Sequence, residues 1–336
     1  MVGLIAFAND GGLGIQTKRL YKMLKPDKVL LIDSRGFSKN KQLHTDWYPN
    51  AQICTGFPQN HEILPWLEGL KTVFMVEDPY NYYIIHACHE RGIKTIVQTN
   101  YEFCDNLVAP WLPVPDLFLM PSYWKLEEMK RRFGDDRVIY LPPPIDPEEF
   151  ANVTPHKGVG TRFLHIVGTL AAKDRNGTQD LLKAMAKTKE MFRLTIHSQH
   201  PLPESHIIDD PRITYRVKNF ENVADLYNGH DALVLPRRYG GLSLTTNEAL
   251  MAGLPVMMTD ISPNNAWLPQ DWLVPAKPVG QFKVRAMITY HQTDIQALAD
   301  KLDQWAKQVP DSSEARKIAL EHFKVQTLVT KYKKLL

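Results

Sequence analysis

Cysteine is scarce in this chain of 336 residues: Cys54, Cys88 and Cys104 are the complete set. An odd, widely spaced trio without a CxxC pair argues against a disulfide framework and a structural zinc site, and it fits a reducing cytoplasm. Long apolar runs are missing as well. No stretch reaches the ~18 residues that a membrane span needs. The opening segment, residues 1–10, lacks a basic n-region and reads as a first strand, not a signal peptide. Strong charge of either sign is also absent. A net charge of +3 and a pI near 8.5 are too mild to argue for a nucleic-acid or membrane partner on their own. There is no short-period repeat and no low-complexity tract.

What is present is the balance of a soluble globular protein, with 44% apolar and 23% charged residues. The length suits two domains better than one. Charge is divided unevenly between the halves. Residues 1–150 hold 16 Lys/Arg against 19 Asp/Glu, and the remainder holds 24 against 18. The positive excess of the second half is what a domain binding a nucleotide diphosphate would show, although many other domains share it.

Short apolar runs alternate with amphipathic stretches. Strands are expected at 2–8, 29–32, 73–76, 95–98 and 117–121, with a helix over 14–24. Such alternation predicts a parallel sheet covered by helices on both faces. The rhythm breaks at the proline-rich segment 141–150 and the polar residues after it, which read as a domain boundary. A second series follows, with strands at 162–167, 193–197, 213–215, 232–235 and 255–258 and closing helices at 294–305 and 313–336. The expected domains are 1–155 and 156–336, the last helix being able to pack back on the first domain.

Three segments could meet an anion. The first strand ends in Asn9-Asp-Gly-Gly-Leu-Gly14 before a helix, where glycines let backbone N–H groups approach a phosphate. In the second domain Gly168 ends a strand, and Lys173 and Arg175 follow in the next loop, where two cations can neutralise a diphosphate. The most specific segment runs from Leu233 to Met257 and reads strand, glycine-rich turn, helix, strand. Thr245 or Thr246 can cap that helix, and Glu248 lies about one turn in, placed to accept two ribose hydroxyls.

Bland readings compete at several positions. Asp78, at a strand end, reads first as a helix cap before Pro79 and second as a ligand contact. His86 and His89, and His197 and His200, lack the carboxylate cluster a metal site would add. The helix carrying Lys125, Lys130, Arg131 and Arg132 with Glu127 and Glu128 reads as a solvated face, with an anionic acceptor or membrane surface as the alternative.

The stretch from Pro236 to Val256 resembles the signature of the GT4 family of retaining glycosyltransferases, in which a strand ending Pro-Ser leads through Glu-Gly-Phe-Gly-Leu to Glu-Ala-Met-Ala-x-Gly-x-Pro-Val. Here it stands as Pro236-Arg-Arg-Tyr-Gly-Gly-Leu-Ser-Leu-Thr-Thr-Asn-Glu-Ala-Leu-Met-Ala-Gly-Leu-Pro-Val256. The glycines 11, 12 and 14, the segment Pro143 to Phe150, and Gly168 with Lys173, Arg175 and Gly177 resemble further family motifs in the same order.

The resemblance implies an α/β chain of GT-B fold: two Rossmann-like domains facing across a cleft, with no metal and no cofactor. A nucleotide sugar, UDP- or GDP-linked, would be the donor substrate, and the missing Asp-x-Asp motif agrees with metal independence. It implies that Gly12, Gly14, Gly168, Lys173, Arg175, Thr245 and Glu248 bind the nucleotide, with Lys173, Arg175 and Glu248 supporting catalysis. Gly240, Gly241, Leu242, Ser243 and Leu244 would touch the donor sugar, and Asp78, Asn100 and Tyr101 would lie on the acceptor side. The acceptor could be a surface glycan, a small molecule, or a modified base in DNA as for some phage enzymes. Three departures stand out: the family's first motif glutamate falls on Gly240, its arginine after the second glycine loop on Thr169, and its histidine near Asn100 or Tyr101. A GT-B sugar-nucleotide epimerase and a non-catalytic nucleotide-sugar binder are the competing readings.

Overall fold

The computed structural model describes residues 1–38, 41–168 and 171–336, and the chain falls into two compact units. Residues 1–144, 283–287 and 325–336 make the first. Its strands are β1 (Val2–Phe7), β2 (Lys28–Asp33), β3 (Gln52–Thr55), β4 (Thr72–Glu77), β5 (Lys94–Thr99), β6 (Leu117–Met120) and β7 (Val138–Tyr140). They form one sheet in the order β3-β2-β1-β4-β5-β6-β7, with every recorded pairing parallel. Helices α1 (Gly12–Leu24), α2 (Asn60–Trp66), α3 (Tyr83–Glu90) and α4 (Leu126–Phe133) connect them. Val73, Phe74, Met75 and Val76 are all buried, as consecutive residues of a parallel strand with both faces covered must be. β3 and β7 are absent from the strands expected of the sequence because both are edge strands. In β3 only Cys54 is buried, so the apolar run that marks a central strand is not there.

The second unit comprises residues 145–282 and 288–324. Strands β8 (Arg162–Gly168), β9 (Arg193–Ser198), β10 (Ile213–Val217), β11 (Ala232–Leu235), β12 (Val256–Thr259) and β13 (Leu273–Val274) build a parallel sheet in the order β10-β9-β8-β11-β12-β13. A hairpin that the sequence pattern does not mark, β14 (Ala276–Lys283) and β15 (Met287–Thr293), stands apart from it. Helices α5 (Thr178–Met185), α6 (Leu244–Met251), α7 (Ile295–Lys307) and α8 (Ser312–His322) complete this unit. Ile145 and Phe150 are fully buried in its core, so the chain passes into the second unit before the polar stretch that suggested a boundary at 155/156.

The expected single helix over 313–336 is two helices, α8 and α9 (Val325–Lys333). At the break the Ile145 amide donates to the Phe323 carbonyl at 2.8 Å, which takes that carbonyl out of a continuous helix ladder. α9 packs in the first unit. There the buried Tyr332 hydroxyl donates to the Pro142 carbonyl (2.9 Å) and accepts from Gln98 Nε2 (2.7 Å).

Each sheet reverses its strand order once, between β1 and β4 in the first unit and between β8 and β11 in the second. In open α/β sheets the crevice outside the strand C-termini at that reversal is where ligands bind. Sequence order alone does not locate it, because it depends on which strands pair.

Candidate functional site

In the second unit the reversal brings two loops together: residues 171–177, after β8, and residues 236–243, after β11. They are tied by hydrogen bonds to backbone carbonyls. The Arg238 amide donates to the Arg175 carbonyl (2.8 Å), the Arg238 guanidinium to the Lys173 carbonyl (3.1 Å), and the Tyr239 hydroxyl to the Ala172 carbonyl (2.6 Å). Asn176 Nδ2 donates to the carbonyls of Ile166 and Val167, which pins the first loop to the end of β8 beside Gly168. Four cations collect at this edge: Lys173, Arg175, Arg237 and Arg238. Arg238 approaches the buried Asp180 at 3.9 Å, and burial still raises that carboxyl above its ordinary range.

The hairpin and the 236–243 loop together supply an aromatic platform for these cations. Tyr290 lies 5.5 Å from Lys173 Nζ and 5.2 Å from the Arg238 guanidinium carbon, and Arg175 sits 5.1 Å over Tyr239. Phe282 meets both Tyr239 (4.9 Å) and Tyr290 (5.9 Å) edge-on. Cations over ring faces are held by the ring quadrupole as well as by salt contacts. Alternation in β14 and β15 is weak, so only the assembled fold reveals this support.

Two helices begin near the crevice, and they differ at their N-termini. At α5 the Asp174 carboxylate accepts from the amides of Thr178 (3.1 Å) and Gln179 (2.8 Å), so an internal anion already occupies that helix end. At α6 the N-cap is Ser243, whose side chain makes no capping hydrogen bond. The expectation that Thr245 or Thr246 is the cap is therefore corrected. Both lie inside the first turn, where Thr246 donates to the Ser243 hydroxyl (2.8 Å) and Thr245 Oγ1 is 3.2 Å from it. The opening amides and partial positive charge of α6 belong to the segment 241–245. One turn on, Glu248 is buried, and the Tyr227 hydroxyl donates to its Oε2 at 2.7 Å.

Gly240 has φ +110°, a region where a side chain is strained, and a Cβ there would lie 2.7 Å from Arg237 Nη2. The space beside the turn thus belongs to the Arg237 side chain, which is 3% exposed. Sequence reasoning passed over Arg237. The signal was present in retrospect, because arginine stands where the resembled motif has serine. Gly241 is buried, and Leu242, Ser243 and Leu244 are half-buried along the same turn. Thr169 lies outside the described residues.

In the first unit the glycine loop opens α1 at Gly12. A Cβ on Gly14 would stand 1.9 Å from the Asn9 carbonyl oxygen, so this glycine lets the helix rest on the end of β1. Asn9 folds back to accept from the Gly11 amide (2.9 Å). Across the reversal, β4 ends in Glu77 and Asp78. Glu77 adopts φ +71° and receives Tyr80 Oη (3.3 Å) and Asn100 Nδ2 (3.4 Å). Burial, with the Glu102 charge beside it, raises Glu77 to about 7. Burial and the Asp105 charge likewise push Asp78 up to about 7. Asp78 is not the helix cap expected of it: α3 starts at Tyr83, whose amide donates to Asn81 Oδ1 (3.0 Å), because the turn after Pro79 adds residues before the helix. Tyr101 is buried and turned toward α4, donating to Glu128 at 2.5 Å, while Asn100 faces Glu77. Glu77 was not singled out from the sequence, although the same strand-end argument that picks Asp78 covers it.

The remaining candidates are placed more simply. His86 and His89 lie on α3 near Glu90 (3.3 Å) and Asp116 (3.6 Å), and His197 bonds to the Lys218 carbonyl (2.8 Å). On α4 and just before it, Lys125 and Lys130 pair with Glu128 and Glu127. Among the described residues no helix is long and apolar enough to cross a membrane.

Residues 161–307 match the family described as Glycosyl transferases group 1. No curated protein matches the chain by sequence. Solved structures do resemble it over nearly its full length. A glycosyltransferase from Rickettsia africae aligns at 13% identity and TM-score 0.67, covering 99% of this chain and 97% of that one. Sucrose-phosphate synthase from Thermosynechococcus elongatus aligns at 14% identity and TM-score 0.68, covering 99% and 97%. HepE of Anabaena, solved with UDP and glucose, aligns at 11% identity and TM-score 0.68, covering 99% and 98%. The two parallel sheets and these likenesses make the fold GT-B, and the second unit carries the domain that matches the group 1 glycosyltransferases.

Proposed function

We propose that the chain is a retaining, metal-independent glycosyltransferase of the GT4 type that works in the cytoplasm and takes its sugar from a UDP- or GDP-linked donor. The observation that carries this reading is the pair of joined loops at the reversal of the second sheet. There the Lys173 and Arg175 backbone carbonyls are fastened to the 236–243 turn, ahead of the α6 N-terminus, with the buried Glu248 one turn on. Transfer puts negative charge on the departing diphosphate. Fixed cations and a helix N-terminus aimed at that charge stabilise the transition state. In this reading Lys173 and Arg175 hold the diphosphate, Glu248 holds the ribose, and the backbone of 241–245 meets the donor sugar. The acceptor hydroxyl attacks from the face the diphosphate leaves, and Asp78 and Asn100 of the first unit are its candidate contacts. The acceptor is a glycan, a small metabolite or a modified DNA base. UDP is the first nucleotide to test, since the Anabaena neighbour was solved with it.

The reading is tested at Glu248. Glu248→Ala should weaken nucleoside-diphosphate binding by about 2–4 kcal/mol, the worth of hydroxyl bonds to a buried charge. Calorimetry with UDP and GDP measures it, and an unchanged dissociation constant removes the ribose assignment. Binding that is intact while no donor is turned over, with or without EDTA and across a panel of acceptors, would favour the non-catalytic reading.

A further inference from the structure

Tyr227 lies outside every motif described above, yet its hydroxyl ends on the carboxylate that the proposed function places on the ribose. The residue is fully buried, in the segment just before β11. Its hydroxyl is 2.7 Å from Glu248 Oε2 and 3.3 Å from the Thr245 carbonyl, and its ring meets Phe150 edge-on at 5.8 Å. A glutamate's last torsion is broad and roughly two-fold, so packing of the α6 backbone does not by itself fix the plane of the carboxylate. A donor anchored in the core does. We propose that Tyr227 is a positioning residue for nucleotide recognition: it locks the Glu248 carboxylate in the orientation that reads the ribose hydroxyls. This rests on the assignment of Glu248 to the ribose.

A carboxylate has two accepting oxygens. Tyr227 donates to Oε2 at 2.7 Å. The phenol O–H donates, so Glu248 Oε2 is the acceptor and that side of the carboxylate is held from the core. The shorter bond, to Oε2, takes the single proton, and the Thr245 carbonyl is the weaker alternative. Tyr227 would therefore touch no ligand and act only through Glu248.

The readout is discrimination between ribose and deoxyribose, which a merely structural tyrosine does not move. Calorimetry compares UDP and GDP with their 2′-deoxy forms on wild type, Tyr227→Phe, Glu248→Gln and the double variant, with thermal melting alongside. A site built around a hydroxyl rejects the analogue lacking it strongly. Wild type should prefer the ribonucleotide at least ~10-fold. Tyr227→Phe should cut that preference to within about threefold while keeping its melting temperature within a few degrees, and its loss should largely vanish in the Glu248→Gln background. A Tyr227→Phe protein that keeps the wild-type preference overturns the proposal but leaves the ribose assignment standing. Additive losses in the double variant overturn it too, and that comparison holds even if Tyr227→Phe lowers stability. A wild type indifferent to the 2′-hydroxyl removes the ribose assignment and the proposal together.

Discussion

The strand C-termini of the two sheets carry opposite charge. In the first unit the edge near the reversal holds Glu77, Asp78, Glu102 and Asp105, with Arg285 on Asp105 at 3.0 Å. In the second it holds Lys173, Arg175, Arg237 and Arg238, while Asp174 is turned to the start of α5. The topology is of one kind, so the difference lies in the residues at the strand ends and in the loops that follow. The second edge is cationic, which suits the diphosphate of the proposed donor, whereas at the first Glu77 and Asp78 are raised because they are desolvated beside other carboxyls.

The contrast is broken most severely by removing charge from the second edge. Lys173→Ala with Arg175→Ala should lower turnover by more than ~100-fold, about 2.7 kcal/mol of lost diphosphate stabilisation. Single-turnover kinetics with a competent donor measures it, and a loss below tenfold would mean that the diphosphate is held elsewhere.

A smaller effect is expected where the second edge would gain a carboxylate. Gly240→Glu places a side chain at φ +110° and 2.7 Å from the Arg237 guanidinium. Turnover with the best wild-type donor should fall by about tenfold, because the turn must move to admit it. Rates across a panel of nucleotide sugars decide the point. A tenfold gain would show that the turn is not adapted to the absent glutamate.

The smallest effect concerns the first edge and its dependence on pH. Glu77 titrates near 7 in the folded chain against an ordinary value of 4.5, so the native state holds a proton that the unfolded chain releases between those values. Stability from this group is therefore lost as pH rises through that window. Glu77→Gln should melt about 2–4 °C above wild type at pH 8, and the gain should disappear below about pH 4.5. Melting curves across that range test it, and a gain independent of pH would assign the effect to packing.

Much of the architecture is legible in the order of residues. The central strands announce themselves as continuous apolar runs, and the α/β alternation forces parallel pairing. The edge strands β3 and β7 do not show, because a strand with one neighbour buries too little to leave a pattern. The β14–β15 hairpin is silent for a similar reason: in β14 no residue is fully buried.

By itself the sequence determined the fold class, the two glycine loops and the segment containing Glu248, because local spacing and turn chemistry encode them. Only the tertiary structure decided that Asp174 closes the α5 end while the Ser243 side chain leaves α6 without a capping bond of its own. It alone brought Tyr227 to Glu248 across 21 residues, set Tyr290 beneath Lys173 and Arg238, and gave Arg237 the space beside Gly240. These are encounters between segments that neighbour one another only after the sheet has formed. No local pattern specifies them, because the order of strands in a sheet is fixed by packing and not by order along the chain.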